Sequence, residues 1–410
     1  MTETGGGGDV NRDDTILEAR ALRKAFSDTV AVDDVSVSVR RGEFFSLVGP
    51  SGCGKTTTLR MLAGLTTPTD GTVHIDGVEI TDHPARERDT NLVFQDLVLF
   101  PHMSVADNVG YGLARQGVPM DERDHRVSAL LETVDLDGLG DRRPTELSGG
   151  QRQRVALARG LAPEPSVLLL DEPLSSLDRK LRQEMQAELR RVQRDIGTTF
   201  LYVTHDQDAA MSMSDRVGVM ADGRILESGA PESLYDQPET AFVADFLGDA
   251  NTLAGTVAAV ADGSVTVAVG TGKIRAEPGG RSPTVDSQVM VMVRPEAVEL
   301  GDGPLSATIR ASEFKGFYHR YTVALGDDET SMVTVRTDAN ERFTVGDSVN
   351  MSMTDATLVA PGDGTTTAEE SSEPTVASGV RVDDTTDGHD RNDDRVRGQL
   401  GERSARIRDE

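Results

Sequence analysis

The residues with the clearest chemistry form a glycine-rich run that matches the pattern G-x-x-x-x-G-K-[ST]. Glycines let backbone amides turn towards a phosphate, and the helix predicted from about Lys55 directs its positive end at the same anion. Lys55 can neutralise the β- and γ-phosphates, and the Thr56 hydroxyl can bind Mg²⁺. The predicted nucleotide-binding residues of this run are Gly49, Pro50, Ser51, Gly52, Cys53, Gly54, Lys55, Thr56 and Thr57.

Two acidic residues follow a second apolar run. Asp171 and Glu172 come after residues 167–170, Val-Leu-Leu-Leu, which is typical of a buried strand. Alone, two acids at a strand end are more often a helix N-cap. Together with the phosphate loop they indicate nucleotide hydrolysis, with Asp171 as a magnesium ligand through water and Glu172 as general base.

These motifs and their order resemble those of the ATP-binding subunits of ATP-binding-cassette (ABC) transporters over residues 16–247. The resemblance implies that Glu172, His205 and Gln95 are catalytic, that Gln95 also reaches the metal ion, and that Phe26 stacks on adenine. Residues 175–178, Ser-Ser-Leu-Asp, match the family's D-loop, which contacts the other protomer. The family's signature motif, LSGGQ, supplies the remaining predicted nucleotide contacts, which are Ser148, Gly149, Gly150 and Gln151.

The signature motif implies a dimer. Ser148 and the amides that follow it can form a second anion cradle, which holds no triphosphate of its own and must meet one held by another copy. The resemblance therefore implies a homodimer that encloses two ATP with Mg²⁺. It also implies two transmembrane permease subunits and, indirectly, an extracytoplasmic substrate-binding protein, which places the chain at the cytoplasmic face of the cell membrane.

Several of these residues have plainer explanations. Phe26 could be part of the core, and a lone histidine such as His205 is usually structural. Residues 100–103, after Gln95, lie where the family meets the permease; Phe100, Pro101 and Met103 either contact it or only pack internally. Cys53 lies beside Lys55 and a helix N-terminus, a setting that can lower a thiol pKa, although we interpret it as a small filler residue.

The surrounding patterns predict the elements that position these residues. Strand-like and helical runs alternate over 16–250, which indicates an α/β fold of the P-loop NTPase type with a mixed sheet and a helical subdomain at 104–162. Asp76-Gly77 predicts a hairpin turn, and 180–196 an amphipathic helix. Residues 1–15 and the acidic stretch 359–410 are predicted to be disordered.

Short alternating strands over 251–358 predict a small all-β, OB-like barrel, with two barrel halves as an alternative. Arg294-Pro295-Glu296 and Phe314-Lys315-Gly316 resemble the accessory barrel (TOBE) domain of importer ATPases. This resemblance implies an importer motor, of polyamine or ferric-iron type first, then molybdate/tungstate type, then sugar type. A structural or dimer-stabilising barrel is favoured over one that binds a regulatory ligand.

Composition limits the possible ligands, cross-links and cellular environment of the chain. The net charge of −27 argues against nucleic-acid binding, and the single cysteine excludes an intrachain disulfide. No run of about 18 apolar residues or signal-peptide pattern is present in the sequence. The excess of acids and the scarcity of Lys suggest a halophilic archaeon, with an ordinary acidic protein as the alternative.

Two rival classes share the cassette. Soluble relatives act in translation or DNA repair, but typically carry two cassettes or a long coiled-coil insertion, and exporter motors commonly lack the terminal barrel. Co-purification with hydrophobic subunits would separate transport from the soluble roles.

Overall fold

A computed structural model describes residues 14–261, 263–270, 272–326 and 331–361. The elements before residue 250 are, in chain order, β1 (Thr15–Phe26), β2 (Thr29–Arg40), β3 (Phe44–Val48), α1 (Lys55–Leu62), β4 (Asp70–Ile75), β5 (Val78–Glu79), β6 (Thr90–Val93), α2 (Val105–Arg115), α3 (Met120–Thr133), α4 (Gly149–Leu161), β7 (Val167–Asp171), α5 (Arg179–Ile196), β8 (Thr199–Thr204), α6 (Gln207–Met213), β9 (Arg216–Ala221), β10 (Arg224–Gly229), α7 (Pro231–Asp236) and α8 (Ala241–Gly248).

Six strands form the central sheet in the order β10-β9-β3-β8-β7-β6. β3, β8, β7 and β6 pair in parallel. β3, β7 and β8 are buried along their whole length, because helices cover one face and α1 with a second sheet covers the other. Parallel strands bring their carboxyl ends to one edge. The phosphate loop, Gln95, Asp171 and His205 follow four of these ends, so the topology gathers them there.

A second sheet, in the order β2-β1-β4-β5, is antiparallel and packs with α1 over a shared apolar core. The predicted hairpin is confirmed: Ile75 pairs with Val78 across Asp76 and Gly77, which have φ of 49° and 74°. Two consecutive left-handed residues are the geometry of a type I′ turn.

Helices α2, α3 and α4 form the predicted helical subdomain. The N-termini of α2 and α4 each carry a capping box, with Ser104 and Ser148 as the N-cap residues. Val109 and Val155 are fully buried between the helices and continue the core beneath the central sheet. The helical subdomain is therefore packed onto the sheet that carries the hydrolytic residues.

The elements after residue 250 are β11 (Asn251–Ala261), β12 (Ser264–Val269), β13 (Gly272–Glu277), β14 (Gln288–Val293), β15 (Val298–Gly301), β16 (Leu305–Phe314), β17 (Tyr318–Leu325), β18 (Met332–Asp338), β19 (Ser348–Met353) and β20 (Ala356–Val359). β11-β12-β13-β20-β14 close into a barrel, and β15-β19-β16-β17-β18 form a five-stranded sheet. One apolar core joins the two sheets. The predicted α/β-plus-all-β fold class is confirmed, and the β part is a closed barrel with a second sheet rather than a single barrel.

A buried arginine fastens the barrel to the cassette. The Arg294 guanidinium donates to the backbone oxygen of Ala244 at 2.7 Å and, through Nε, to that of Tyr235 at 3.1 Å; a second nitrogen also bonds the Tyr235 oxygen. It lies over the Tyr235 ring at 3.9 Å, and the Tyr235 hydroxyl donates to Glu296. Burial lowers the pKa of Arg294. Arg294 thus ties β14 to α7 and α8.

The segments predicted to be disordered lie almost wholly outside the described residues. β1 begins at Thr15 and β20 ends at Val359, so the last residue of the first predicted segment and the first residue of the second belong to strands. The inter-domain boundary near residue 250 stays a prediction. Among the described residues, no helix has the length and apolar character needed to cross a bilayer.

Candidate active site

The phosphate loop, residues 49–54, connects β3 to α1 and depends on its glycines. A Cβ at Gly49 would lie 2.0 Å from the Met220 carbonyl oxygen, and a Cβ at Gly54 would lie 2.4 Å from that of Ala31. Gly54 also has a φ of 106°, and α1 begins at the next residue. A side chain would therefore displace the loop at either position, so the loop geometry requires glycine.

Lys55 is buried inside this loop, and its Nζ donates to the backbone oxygens of Gly49 at 2.7 Å and Pro50 at 2.8 Å. The Cys53 sulfur lies 3.7 Å from the same nitrogen. Burial raises the pKa of the Cys53 thiol, and the nearby Lys55 charge offsets only part of that. The suggestion that this setting lowers the thiol pKa was wrong, because desolvation of the thiolate outweighs the cation.

The remaining loop residues take up different positions. Pro50, Ser51 and Gly52 are exposed at the tip, and Thr57 is half-buried in the first turn of α1. Gly52 has a φ of 81° and open space where a side chain would stand. The tip therefore presents backbone to solvent, as a phosphate cradle requires.

Thr56 and Asp171 meet at the edge of the sheet, where the Thr56 hydroxyl donates to Asp171 Oδ1 at 3.3 Å. Asp171 is buried, and burial raises the pKa of its carboxyl against the opposing hydrogen bond from Thr56. A hydroxyl and a carboxylate are the oxygen ligands that Mg²⁺ prefers. With glycine amides and Lys55 on the other side, the residues present fit a magnesium–triphosphate group.

Glu172 follows directly and has a left-handed backbone, with a φ of 44°. Its amide donates to the Val203 carbonyl oxygen at 3.0 Å, which fixes the turn against β8. Glu172 Oε2 lies 3.0 Å from His205 Nδ1. A strained backbone held by its surroundings is common at functional sites. The sheet thus brings together the two residues predicted to be the base and the switch histidine.

Gln95 reaches this cluster through the D-loop. Its Nε2 donates to the Ser175 hydroxyl at 3.2 Å, and that hydroxyl donates to the Glu172 carbonyl oxygen at 2.9 Å. The described hydrogen bond of Gln95 is therefore with the D-loop beside the base. Its predicted contact with the metal ion stays a prediction.

Phe26 ends β1 and is 49% exposed, with Lys24 Nζ 5.2 Å from its ring centroid. The alternative that Phe26 belongs to the core is therefore wrong. An exposed ring beside a cation is available for contact with a base and its phosphates.

The signature residues begin α4. The Ser148 hydroxyl accepts from the Gln151 amide at 3.3 Å, and the Ser148 amide donates to Gln151 Oε1 at 2.9 Å. Gly149 and Gly150 form the first turn, and a Cβ on Gly150 would lie 3.1 Å from a Leu181 methyl group. The hydrogen bonds that the structure gives to Ser148 are all to residues of α4.

Sequence reasoning missed three residues that hold the site. Gln153, 3% exposed, donates to the Pro173 oxygen at 2.7 Å and so joins α4 to the residue after Glu172. Arg182 of α5 forms an ion pair at 3.4 Å with Asp206, the residue before α6. Each is a polar residue on an otherwise ordinary helical or loop pattern. The only signal in the sequence was closeness to a motif, which does not say where a side chain points.

A groove of about 280 Å³ lies beside residues 97–100 and is lined mainly by Phe94, Val98, Phe100, Tyr111, Arg159 and Pro163. Arg159 donates to the backbone oxygens of Leu97 and Val98, both at 2.7 Å, which holds their positive-φ turn. The Phe100 ring packs on Tyr111 with centroids 4.7 Å apart. Pro101 is exposed and Met103 is half-buried.

Both the part before residue 250 and the part after it resemble known protein families. A family model described as ABC transporter matches residues 32–175, and one described as TOBE domain matches residues 291–360. A "Spermidine/putrescine import ATP-binding protein PotA" from Thermobifida fusca is 46% identical, with 80% of this chain and 87% of the relative covered. The chain belongs to the ABC transporter family.

This ABC-type ATPase has further relatives. A PotA protein from Rubrobacter xylanophilus is 47% identical over 75% of this chain and 82% of its own. Among solved structures, cbiO1 from Clostridium perfringens, described as part of the ABC transporter complex cbiONQ, is 34% identical with a TM-score of 0.51, and the match covers 54% of this chain and 90% of that one. The curated relatives are bacterial, so the predicted halophilic archaeal origin has no support from them.

Proposed function

We propose that this ABC ATPase is the motor subunit of an importer, and that its cargo is a polyamine such as spermidine or putrescine. The observation that carries the proposal is the meeting of the phosphate loop, Asp171, Glu172 and His205 at one edge of the sheet. The cargo follows from the relatives named as spermidine/putrescine import proteins, at 46% and 47% identity.

In the proposed mechanism each residue has one task. Phe26 stacks on the base, and Lys55 with the loop amides holds the phosphates. Glu172 accepts the proton of the attacking water, while His205, 3.0 Å away, holds the carboxylate and the terminal phosphate in register. Thr56, Asp171 and Gln95 would hold Mg²⁺, which when bound would offset the charge of the phosphate oxygens.

The other half of each site would come from a second copy. Ser148 caps a helix of 13 residues, and the amides of Gly149 and Gly150 in its first turn point along the helix axis towards its N-terminal end. In a homodimer these amides would complete the triphosphate site of the partner, so that hydrolysis waits for closure.

The permease would dock in the groove beside residues 97–100, at the cytoplasmic face of the membrane. Val98 is 53% exposed and Tyr111 is 41% exposed, while the backbone beneath them is held by Arg159. A short apolar helix of the permease suits an apolar groove with a fixed floor. The substrate-binding protein would act on the outer side, out of contact with this chain.

Glu172→Gln tests the hydrolytic part. The amide keeps the shape of the side chain but cannot take the proton, so kcat is expected to fall by about 10² to 10⁴-fold with ATP affinity within a few-fold of wild type. Glu184→Gln, which removes an exposed carboxylate 3.9 Å from Lys180, is the matched control and should keep full activity. Near wild-type turnover of the Glu172 variant would refute the role of general base.

Complementation tests the cargo. Cells that lack this gene should lose uptake of labelled spermidine and regain it with the wild-type chain but not with the Glu172→Gln variant. Loss of ferric-iron, molybdate or sugar uptake instead, with polyamine uptake intact, would overturn the cargo and leave the ATPase standing. Failure to recover any hydrophobic subunit with the chain from membranes would favour a soluble role.

A further inference from the structure

Arg182 joins two loops that flank the proposed general base. It lies in the second turn of α5, and its guanidinium reaches back to the D-loop, where one nitrogen donates to the Leu177 oxygen at 3.0 Å and the Ser175 oxygen at 3.5 Å. Another nitrogen donates to Asp206 Oδ2 at 3.4 Å. The side chain therefore spans the D-loop and the segment that carries the switch histidine.

Both loops bear directly on Glu172. On one side, Ser175 binds the Glu172 carbonyl oxygen through its hydroxyl at 2.9 Å and its amide at 3.2 Å. On the other side, His205 lies 3.0 Å from the Glu172 carboxylate and is the residue before Asp206. A displacement of either loop would change the distance between base and histidine.

Asp206 is itself fixed, so it is a firm anchor for the arginine. Its Oδ1 caps α6 by accepting from the Ala209 amide at 3.0 Å, and its amide donates to the Thr204 hydroxyl at 3.0 Å. Asp206 thus has one oxygen for the helix and one for Arg182. His205 lies between Thr204 and Asp206, so the hydrogen bond between these two residues restrains the backbone that carries it.

The chemistry of the position favours arginine. A planar guanidinium spreads its donors over three nitrogens and so can span oxygens on two segments, whereas the three donors of an ammonium radiate from a single nitrogen. The Nε of Arg182 is buried and has no hydrogen-bond partner among the described residues, which carries a free-energy cost.

We propose that Arg182 is a positioning residue for hydrolysis, which holds the segment of His205 against the D-loop so that the Glu172–His205 pair keeps its register. The inference rests on the proposed roles of those two residues. The D-loop precedes α5 and would lie at the proposed dimer face. A shift of the D-loop when the dimer closes would therefore be transmitted to His205 through the contacts of Arg182.

The test compares Arg182→Gln with wild type in steady-state hydrolysis. We expect kcat to fall by about 10- to 100-fold, because a displacement near 1 Å costs about that much, while the KM for ATP stays within about threefold. Arg191→Gln is the matched control on the same helix. Arg191 pairs with Glu188, Asp195 and Asp135, outside the cluster, and its variant should hydrolyse ATP as wild type does.

A double-mutant cycle separates positioning from general damage. Asp206→Asn keeps an oxygen to cap α6 but removes the charge, so alone it should also lower kcat. Combined with Arg182→Gln it should lower kcat no further, because the pair acts as a unit. Additive losses, or a raised KM with unchanged kcat, would overturn the proposal.

Two results keep the inference distinct from the proposed function. An inactive Glu172→Gln with a fully active Arg182→Gln would refute only the role of Arg182. An active Glu172→Gln would refute the hydrolytic mechanism itself. If Arg182→Gln does not accumulate as folded protein, Arg182→Lys takes its place. A kcat for Arg182→Lys that is below that of wild type and Arg191→Gln but above that of Asp206→Asn supports positioning. A kcat equal to that of wild type refutes it.

Discussion

Replacement of Arg294 by leucine should loosen the barrel from the cassette. Arg294 is 7% exposed, and its guanidinium donates to the backbone oxygens of Tyr235 and Ala244. Leucine fills part of the volume but leaves both buried oxygens without this donor. The variant therefore separates the contribution of these bonds from that of simple packing.

The magnitude follows from the contacts. Loss of the hydrogen bonds that the charged guanidinium donates costs about 1.5–3 kcal/mol at each of the two acceptors, and loss of the cation over the Tyr235 ring at 3.9 Å adds about 0.5–2 kcal/mol. Part is recovered because burial of the cation is itself unfavourable, as the lowered pKa of Arg294 indicates. We expect a net loss of about 2–4 kcal/mol in the free energy of unfolding of the barrel.

Denaturant unfolding of the full chain measures this loss. The chain has no tryptophan and five tyrosines, so tyrosine fluorescence sums Tyr235, Tyr318 and Tyr321 at and beyond the junction with Tyr111 and Tyr202 of the cassette. Circular dichroism follows the cassette helices separately. Arg275→Leu, an exposed arginine on β13, is the control and should stay within about 0.5 kcal/mol of wild type. An Arg294 variant equally close to wild type would refute the clamp.

Three further outcomes follow from the site. Because burial raises the pKa of the Cys53 thiol, alkylation by iodoacetamide near pH 7.5 should be at least about tenfold slower in the folded than in the unfolded chain, and MgATP should slow it further. Equal alkylation rates of the folded and unfolded chain, followed by mass spectrometry, would contradict the burial. Burial also raises the pKa of Asp171, so the ionised carboxylate lowers the free energy of unfolding above that pKa, and this cost vanishes once the pH falls below the pKa of the unfolded chain. Asp171→Asn should therefore unfold at a higher denaturant concentration than wild type at pH 7, by a margin that shrinks towards pH ~4. A margin that does not change with pH would contradict this. Ser148→Ala should lower the free energy of unfolding by about 1 kcal/mol through loss of the helix cap, and Ser148→Gly by only a few tenths. Both variants should lose ATP hydrolysis if the hydroxyl acts on the partner's triphosphate. A rate of hydrolysis that falls only in proportion to the lost stability would refute that role.

The sequence was sufficient where a local pattern alone determines the geometry. The phosphate loop followed from glycine and lysine spacing, because its φ values and close contacts admit few other residues. β7 followed from an uninterrupted apolar run, since a strand buried on both faces cannot alternate. Asp76-Gly77 followed from the need for two left-handed residues in succession.

The sequence was insufficient where distant segments meet. β20 closes the barrel by pairing in parallel with β13, Ala276 against Ala356, and no local pattern marks that register. Arg294 was recognised as part of a motif, yet its backbone acceptors on α7 and α8 could not be read from residue types. The contact of Gln95 with Ser175 depends likewise on two loops whose approach is fixed only by the sheet.

The geometry also explains why one copy of the chain should hydrolyse ATP slowly. Within the chain, Glu172 is held on both sides, by Val203 and Ser175 through its backbone and by His205 through its carboxylate. The proposed base is thus positioned by contacts within a single copy of the chain. The described hydrogen bonds of Ser148 stay within α4. In the proposed dimer, the signature amides of the partner would add a second set of donors to the triphosphate. The dependence of turnover on protein concentration should therefore reflect dimer formation and not a rearrangement of Glu172.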